Sequence, residues 1–452
     1  MGLFSSNTAY VPPPTPYGGL IGGKPAQTAP HLLVSGPSGT GKSRRVLAPG
    51  ILAWAGPVVA VSSKPDLVDL TLEARLGRDG RGRTYLLDLS GEVPDEAVPE
   101  GVHRVVVDPA KLIETDDDAL DMASVLMQAG AAGAGGGQGK GGSGDPFWEN
   151  ISTAPLAAIL RAAGSDGIAW AREAVTRISD EETPDDEPPT EPSWITAVSR
   201  LEEVSPMLTA ELASAVRLDG KMRDSIAVTM KSAVAPWLRS TVAGTGGETA
   251  FSPSMLEHPG ATLFVIAPAT GVAAGAAVAC VDVISKRWRA NQTEQTRLPR
   301  LLMVVDELCN TMPWPKLPTV VTESRAMGIH LLVAVQATAQ FAKRYGPQGM
   351  EELRSVFPAT LLLVGAPEKA MLEQAAWWTG KRERQKVSTD DFGRRTQSGE
   401  RTEVIEATDL LPRSIDEARL LRGRRPGDDA AAVNEAGLLV SLVDISRMKF
   451  AS

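Results

Sequence analysis

The sequence predicts an α/β fold in which a mostly parallel sheet lies between helices and is interrupted by an all-helical insertion. Three observations predict it. Apolar runs bounded by turn formers, such as Val58–Ser62 and Leu301–Val305, have the pattern of strands buried on both faces. A glycine-rich segment at residues 36–43 separates one such run from a helical stretch. Between residues 148 and 238 apolar side chains recur at spacings of three and four, the helical period.

Taken in order, residues 1–27 form an arm rich in proline and glycine (Pro12, Pro13, Pro14, Pro16) with no core of its own. Strands are expected at His31–Ser35, Val58–Ser62, Thr84–Leu89 and Val105–Asp108 within residues 28–112. Residues 113–235 are expected to be the all-α insertion, with helices at Trp148–Ala163, Ile168–Ile178 and Trp194–Val204 and a further helix over Asp219–Leu238. It carries a glycine-rich loop at 129–146 and an acidic, proline-rich linker at 179–193. Strands resume in residues 236–452 at Ala261–Ala267, Leu301–Val305, Leu331–Val335 and Ala359–Val364, so the two flanking parts are expected to share one sheet.

Composition narrows the function. The 452 residues are 43% hydrophobic and 22% charged, which excludes a disordered chain. A formal charge of −9 excludes a surface coated in basic residues, so any nucleic-acid contact must come from local clusters. Two cysteines, Cys280 and Cys309, exclude a disulfide framework and suit a reducing compartment. No secretory leader is read at the N-terminus, and the longest apolar stretch, Gly271–Val281, is too short for a bilayer span. A soluble chain is expected.

Residues 36–43 read Gly-Pro-Ser-Gly-Thr-Gly-Lys-Ser and fit the phosphate-loop pattern at every position. Gly36, Gly39 and Gly41 let the loop fold back, so that backbone N–H groups along Gly36, Pro37, Ser38, Gly39, Thr40, Gly41, Lys42 and Ser43 surround phosphate oxygens, proline alone lacking one. Lys42 supplies charge to the β- and γ-phosphates, and the Ser43 hydroxyl is placed to ligate Mg²⁺. The apolar run Leu301–Val305 leads directly into Asp306-Glu307, a metal-side carboxylate followed by a candidate general base. The absence of an Asn-Lys-x-Asp segment argues against a GTPase, and that of Leu-Ser-Gly-Gly-Gln against an ABC-type ATPase. A Glu beside the metal Asp favours hydrolysis over small-molecule phosphoryl transfer. The expected core is therefore a RecA-like P-loop ATPase of the additional-strand class using ATP and Mg²⁺. Gln336, at the tip of the strand Leu331–Val335, is a candidate γ-phosphate sensor. Arg325, on the preceding helix, is a candidate finger for a neighbour's nucleotide, in competition with Arg354, Arg44 and Arg45.

The phosphate loop, the acidic pair and the stretch ESRAMGIHLLVAVQATAQ together resemble the TraG/TraD-like coupling proteins of conjugative type IV secretion. Pro49, Asp145-Pro-Phe-Trp-Glu-Asn150, Ser225–Trp237 and Thr408-Asp-Leu-Leu-Pro412 extend the likeness over roughly residues 28–415. The resemblance implies a hexameric ATPase that recruits a relaxase–DNA complex and other secretion components, its all-α domain receiving substrate. Two departures stand out. Ser62-Ser-Lys-Pro-Asp66 replaces the family's usual Asp-x-Lys-Gly-Glu, and the family's transmembrane helices are missing. The second implies that a partner recruits a cytoplasmic chain to the membrane, that the chain acts away from the channel, or that its anchor has been removed.

Basic clusters at Arg75–Arg83, Lys286–Arg289, Lys381–Lys386 and Arg422–Arg425 are candidate DNA contacts or solvated surface, with Trp288 a candidate base-stacking residue or a half-buried helix residue. Two other functions stay open: an ATPase that delivers protein cargo only, and an assembly scaffold ordered by nucleotide.

Overall fold

The computed structural model describes residues 14–78, 83–133, 146–178, 191–269, 273–293, 295–389, 395–422 and 437–448. Its strands are β1 (Leu20–Ile21), β2 (Lys24–Pro25), β3 (His31–Ser35), β4 (Val58–Ser62), β5 (Thr84–Asp88), β6 (Val102–Val106), β7 (Thr249–Ala250), β8 (Thr262–Ile266), β9 (Leu301–Val305), β10 (Ile329–Val335), β11 (Ala359–Leu363), β12 (Lys381–Thr389), β13 (Arg395–Glu403), β14 (Glu417–Arg422) and β15 (Leu438–Ser441). All but β12 and β13 join one sheet in the order β2-β1-β15-β14-β11-β3-β10-β9-β4-β8-β5-β6-β7. From β11 to β7 every neighbouring pair is parallel, while β14, β15, β1 and β2 continue the sheet antiparallel.

Chain order and sheet order are interleaved. β4 precedes the helical block in sequence, yet it pairs with β9 and β8, which follow it. The central strands β3, β4, β8, β9, β10 and β11 are buried at every position, which is why they read as uninterrupted apolar runs.

Side chains alternate between the two faces. On one, Leu32, Val34, Ala60, Leu302 and Leu332 pack with Val46, Leu47 and Ile51 from the helical segment after the phosphate loop. On the other, Leu33, Val59, Val61 and Leu87 join a single core with Leu156, Ile159, Leu212 and Trp237 of the helical block. That block comprises Asp116–Gly133, Pro146–Ala163, Gly167–Thr176, Trp194–Leu201, Pro206–Val216, Gly220–Val234 and the turn Ala235–Leu238. Two polar ties bind it to the sheet. The Trp237 indole donates to Val107 O at 2.8 Å, and Asp108 accepts the Ile168 amide at 2.9 Å.

Several local expectations are revised. Residues 129–133, expected in a glycine-rich loop, continue the helix Asp116–Gly133, where Ala129 is buried behind Val125 and Leu126. The strand expected over Val105–Asp108 runs over Val102–Val106, because Asp108 leaves the ladder to accept the Ala110 and Ile168 amides. β12 and β13 form an antiparallel ribbon that the sequence does not announce. Residues 14–27, expected in an arm with no core of its own, instead supply β1 and β2 to the sheet and bury Tyr17 and Ala26. Residues 1–13, 134–145 of the glycine-rich loop and 179–190 of the acidic linker lie outside the described residues. Among the described residues, no helix is long and apolar enough to cross a membrane.

Candidate nucleotide site

Four parallel strands deliver the site. β3, β10, β9 and β4 are adjacent, and their registers align Ser35 with Val335, Val333 with Val305, and Val61 with Val305. Whatever follows these strands must therefore meet at one edge of the sheet. After β3 comes the phosphate loop, after β9 Asp306 and Glu307, after β10 Gln336, and at the end of β4 Ser62 and the turn to Asp66.

The loop geometry follows from its glycines. Gly39 and Gly41 adopt φ of +81° and +86°, a region costly to residues with a Cβ. At Gly36 a Cβ would stand 2.8 Å from the Leu363 Cβ, so the turn closes against β11 only with glycine there. The Arg45 amide donates to Gly41 O at 2.8 Å and starts the helical turn Ser43–Leu47, which continues as the helix Ala48–Ala53. The Thr40 hydroxyl donates to Pro37 O at 2.8 Å. Lys42 is buried, and its ammonium donates to Gly36 O at 2.6 Å and Pro37 O at 3.0 Å, spanning the loop from within. Burial draws this lysine below its ordinary range, opposed by the charges of Asp306 and Glu307.

The Ser43 hydroxyl donates to Asp306 Oδ2 at 3.0 Å, joining residues 263 positions apart in sequence. Asp306 Oδ1 is buried with no hydrogen-bond partner. Desolvation, followed by the nearby charge of Asp66, raises the Asp306 carboxyl to about 6. A hydroxyl oxygen beside an unsatisfied, desolvated carboxylate oxygen fits a hard dication such as Mg²⁺. Ser43 and Asp306 are the residues that would hold it.

Glu307 has φ 49° and ψ 47°, the one non-glycine residue with positive φ among the described residues. A glutamate in the left-handed region is strained, and such strain persists where surrounding structure imposes it, most often at functional sites. Its Oε1 accepts Gln336 Nε2 at 3.1 Å and its Oε2 accepts Asn310 Nδ2 at 3.4 Å, so the carboxylate is aimed by both. A cleft of about 530 Å³ is lined by Gly39, Lys42, Ser43, Asp66, Asp306 and Glu307 among others. Within it the Ser62 hydroxyl donates to Asp66 Oδ1 at 3.0 Å.

The arginines separate. Arg44 forms a two-pronged pair with Asp444 at 2.9 and 2.8 Å, and Arg45 pairs with Asp416 at 2.5 Å. Arg354 is bound to Thr338 and Glu351. Arg325 is exposed in the last turn of the helix Leu317–Met327, immediately before β10 begins. It therefore lies at the end of the sheet opposite Gln336 and does not enter its own chain's cleft.

The basic clusters are largely occupied. Arg75 is fully buried and donates to Thr262 and to the carbonyls of Trp54, Gly56, Gly260 and Ala261. Lys286 pairs with Asp118 and Asp121, Arg287 with Glu257 and Arg289 with Glu323. Trp288 is fully buried, its indole donating to Pro299 O at 2.9 Å, so base stacking at Trp288 is excluded. Lys381 and Arg382 are exposed on β12. Residues 79–82 and 423–425 of the other clusters lie outside the described residues.

A sheet in which β10 stands between the phosphate-loop strand and the acidic strand, closed by this site, defines the class: a RecA-like P-loop fold with an additional strand. Comparison with known proteins adds two findings. Residues 300–415 match the family TraG-D_C, described as the TraM recognition site of TraD and TraG. The fold matches the unbound bacterial conjugative coupling protein TrwBdeltaN70 with a TM-score of 0.60 and 20% identity, covering 93% of this chain and 86% of that one. The same coverage and identity hold for the plasmid coupling protein TrwB in complex with the non-hydrolysable ATP analogue ADPNP (TM-score 0.59) and with ADP and Mg²⁺ (TM-score 0.54). No curated protein matches the sequence. The resemblance to TraG/TraD-like conjugative coupling proteins is borne out by a family match over part of the chain and by the fold over most of it.

Proposed function

We propose that the chain is an ATP-hydrolysing ring motor that couples DNA, or a relaxase–DNA complex, to a conjugative type IV secretion apparatus. The observation that carries this reading is the meeting of Ser43, the orphaned Asp306 oxygen and the strained Glu307 around one cleft. TrwB in complex with ADPNP, and with ADP and Mg²⁺, supports ATP and Mg²⁺ as the ligands. The TraM-recognition match supports a relaxosome component as partner.

In this reading the loop amides of residues 36–43 bind the phosphates, and Lys42 leaves its two carbonyls for the β- and γ-phosphate oxygens. Bound Mg²⁺ supplies charge neutralisation on those oxygens. Glu307 accepts the proton of the attacking water, and Gln336 holds the carboxylate in line for it. Arg325, absent from its own cleft, acts on a neighbour's γ-phosphate within a homo-hexamer. Residues 28–112 and 236–452 make up the nucleotide-binding domain, and residues 113–235 form an inserted all-α domain that receives substrate. The motor works in the cytoplasm, recruited to the membrane by a partner.

ATP turnover is to be measured without DNA and with single- or double-stranded DNA, at two salt concentrations. Stimulation by DNA that weakens with salt is expected. Turnover indifferent to DNA favours protein cargo alone, and ATP binding with no turnover favours a nucleotide-ordered scaffold.

A further inference from the structure

Behind the phosphate loop lies a buried polar cluster that plays no part in the mechanism above. Glu368 follows β11, just before the helix Lys369–Trp378, and is 2% exposed. Its Oε1 accepts the Ser35 hydroxyl at 2.7 Å and the Thr338 amide at 2.6 Å. Its Oε2 accepts the Thr338 hydroxyl at 2.6 Å and stands 3.7 Å from an Arg354 guanidinium nitrogen. Arg354 Nε in turn donates to the Thr338 hydroxyl oxygen at 2.7 Å. Ser35 and Thr338 are both fully buried.

Every group facing Glu368 is a donor, so the carboxylate acts purely as an acceptor. Burying a charged group is unfavourable unless it is paired and hydrogen-bonded, and an apolar side chain would fill the same space more readily. What distinguishes the position is its connections. Ser35 is the last residue of β3, and Gly36 opens the phosphate loop. Thr338 lies two residues beyond Gln336, which touches Glu307. Glu368 itself lies in the turn after β11, the strand against which Gly36 closes, and immediately precedes the helix Lys369–Trp378.

We infer that Glu368 is a positioning residue of the nucleotide site, locking the β10 tip that carries Gln336 to the β3 end that opens into the phosphate loop, with Arg354 as its counter-charge. This rests on reading the cleft as an ATP site. It assigns Arg354, half-buried and held by Thr338 and Glu351, to this cluster and removes it from the candidates for a finger acting in trans. Loss of the lock leaves the loop able to hold the α- and β-phosphates but misplaces the sensor that meets the γ-phosphate.

The test uses the full chain with Glu368→Gln, Thr338→Val and Thr338→Ser, measuring affinities for ADP and for a non-hydrolysable ATP analogue with Mg²⁺, and kcat and KM for ATP. Glu368→Gln and Thr338→Val are expected to bind ADP within about twofold of wild type while losing about tenfold in analogue affinity and in kcat, the scale of one hydrogen bond to a charged group. Thr338→Ser, which keeps the hydroxyl, is expected to behave as wild type. An unchanged ratio of analogue to ADP affinity, or an equal fall in both, overturns the assignment in favour of packing alone. If Glu368→Gln fails to fold, the Thr338→Val and Thr338→Ser pair decides the matter. If wild type binds both nucleotides without turnover, the ATPase reading falls while the affinity ratio still judges the lock.

Discussion

Arg75 offers a quantitative test of how the basic clusters are used. In the sequence it opens a run that reads as a DNA contact or as solvated surface. In the fold it is wholly buried beneath the sheet edge, with five hydrogen bonds to Thr262, Trp54, Gly56, Gly260 and Ala261. Arg75→Met preserves the aliphatic volume and removes the donors. Trp54 O keeps the Arg78 guanidinium and Ala261 O keeps the Val58 amide, so the carbonyls of Gly56 and Gly260 bear most of the loss. An orphaned acceptor costs about 1–3 kcal/mol when fully buried, and these two are half-buried, which places the whole substitution at about 2–4 kcal/mol. In urea unfolding followed by far-ultraviolet circular dichroism, the midpoint should fall by roughly 1–2 M. DNA affinity of the folded protein should not change. A variant as stable as wild type but impaired in DNA binding refutes the assignment of Arg75 to the interior.

Two further predictions concern other parts of the molecule. Arg325→Ala is expected to abolish turnover, and mixing it with Lys42→Ala subunits should restore part of the activity, since each subunit supplies what the other lacks; absence of rescue removes Arg325 from a trans role. Burial lowers His31 from 6.5 to about 4 and His330 to about 3, with the charge of Arg325 adding to both shifts and that of Arg300 to the His330 shift. Both folded values are depressed, so the stability these neutral rings contribute is complete above pH 6.5 and declines as pH falls toward 4. His31→Asn, which retains an acceptor for the Leu331 amide now bonded to His31 Nδ1, should flatten that decline. An unaltered slope would assign the acid sensitivity to other groups.

The parts of this molecule that were legible in its sequence are those governed by short-range rules. A strand buried on both faces must be apolar throughout, so Val58–Ser62 and Leu301–Val305 could be placed to the residue. The phosphate loop needs glycines at fixed positions, and the sheet then carries Ser43 and Asp306 to one edge. What escaped notice depends on partners far away in the chain. Glu368 is an unremarkable acidic residue until Ser35 and Thr338 are known to face it. Arg75 shares its composition with a solvated run, and nothing local reveals the carbonyls that receive it. Trp288 sits among basic residues, yet its ring is turned inward while Lys286, Arg287 and Arg289 are neutralised by carboxylates from other elements. The ribbon of β12 and β13 has a polar sequence without an apolar stripe, so periodicity offers no signal for it.

The most direct measurement of the central claim is ATP binding and turnover by Glu307→Gln beside Lys42→Ala. The account predicts that Glu307→Gln binds Mg²⁺-ATP as wild type does and hydrolyses it at least about 100-fold more slowly, the scale of a lost general base, while Lys42→Ala loses affinity itself. Wild-type turnover by Glu307→Gln would contradict it.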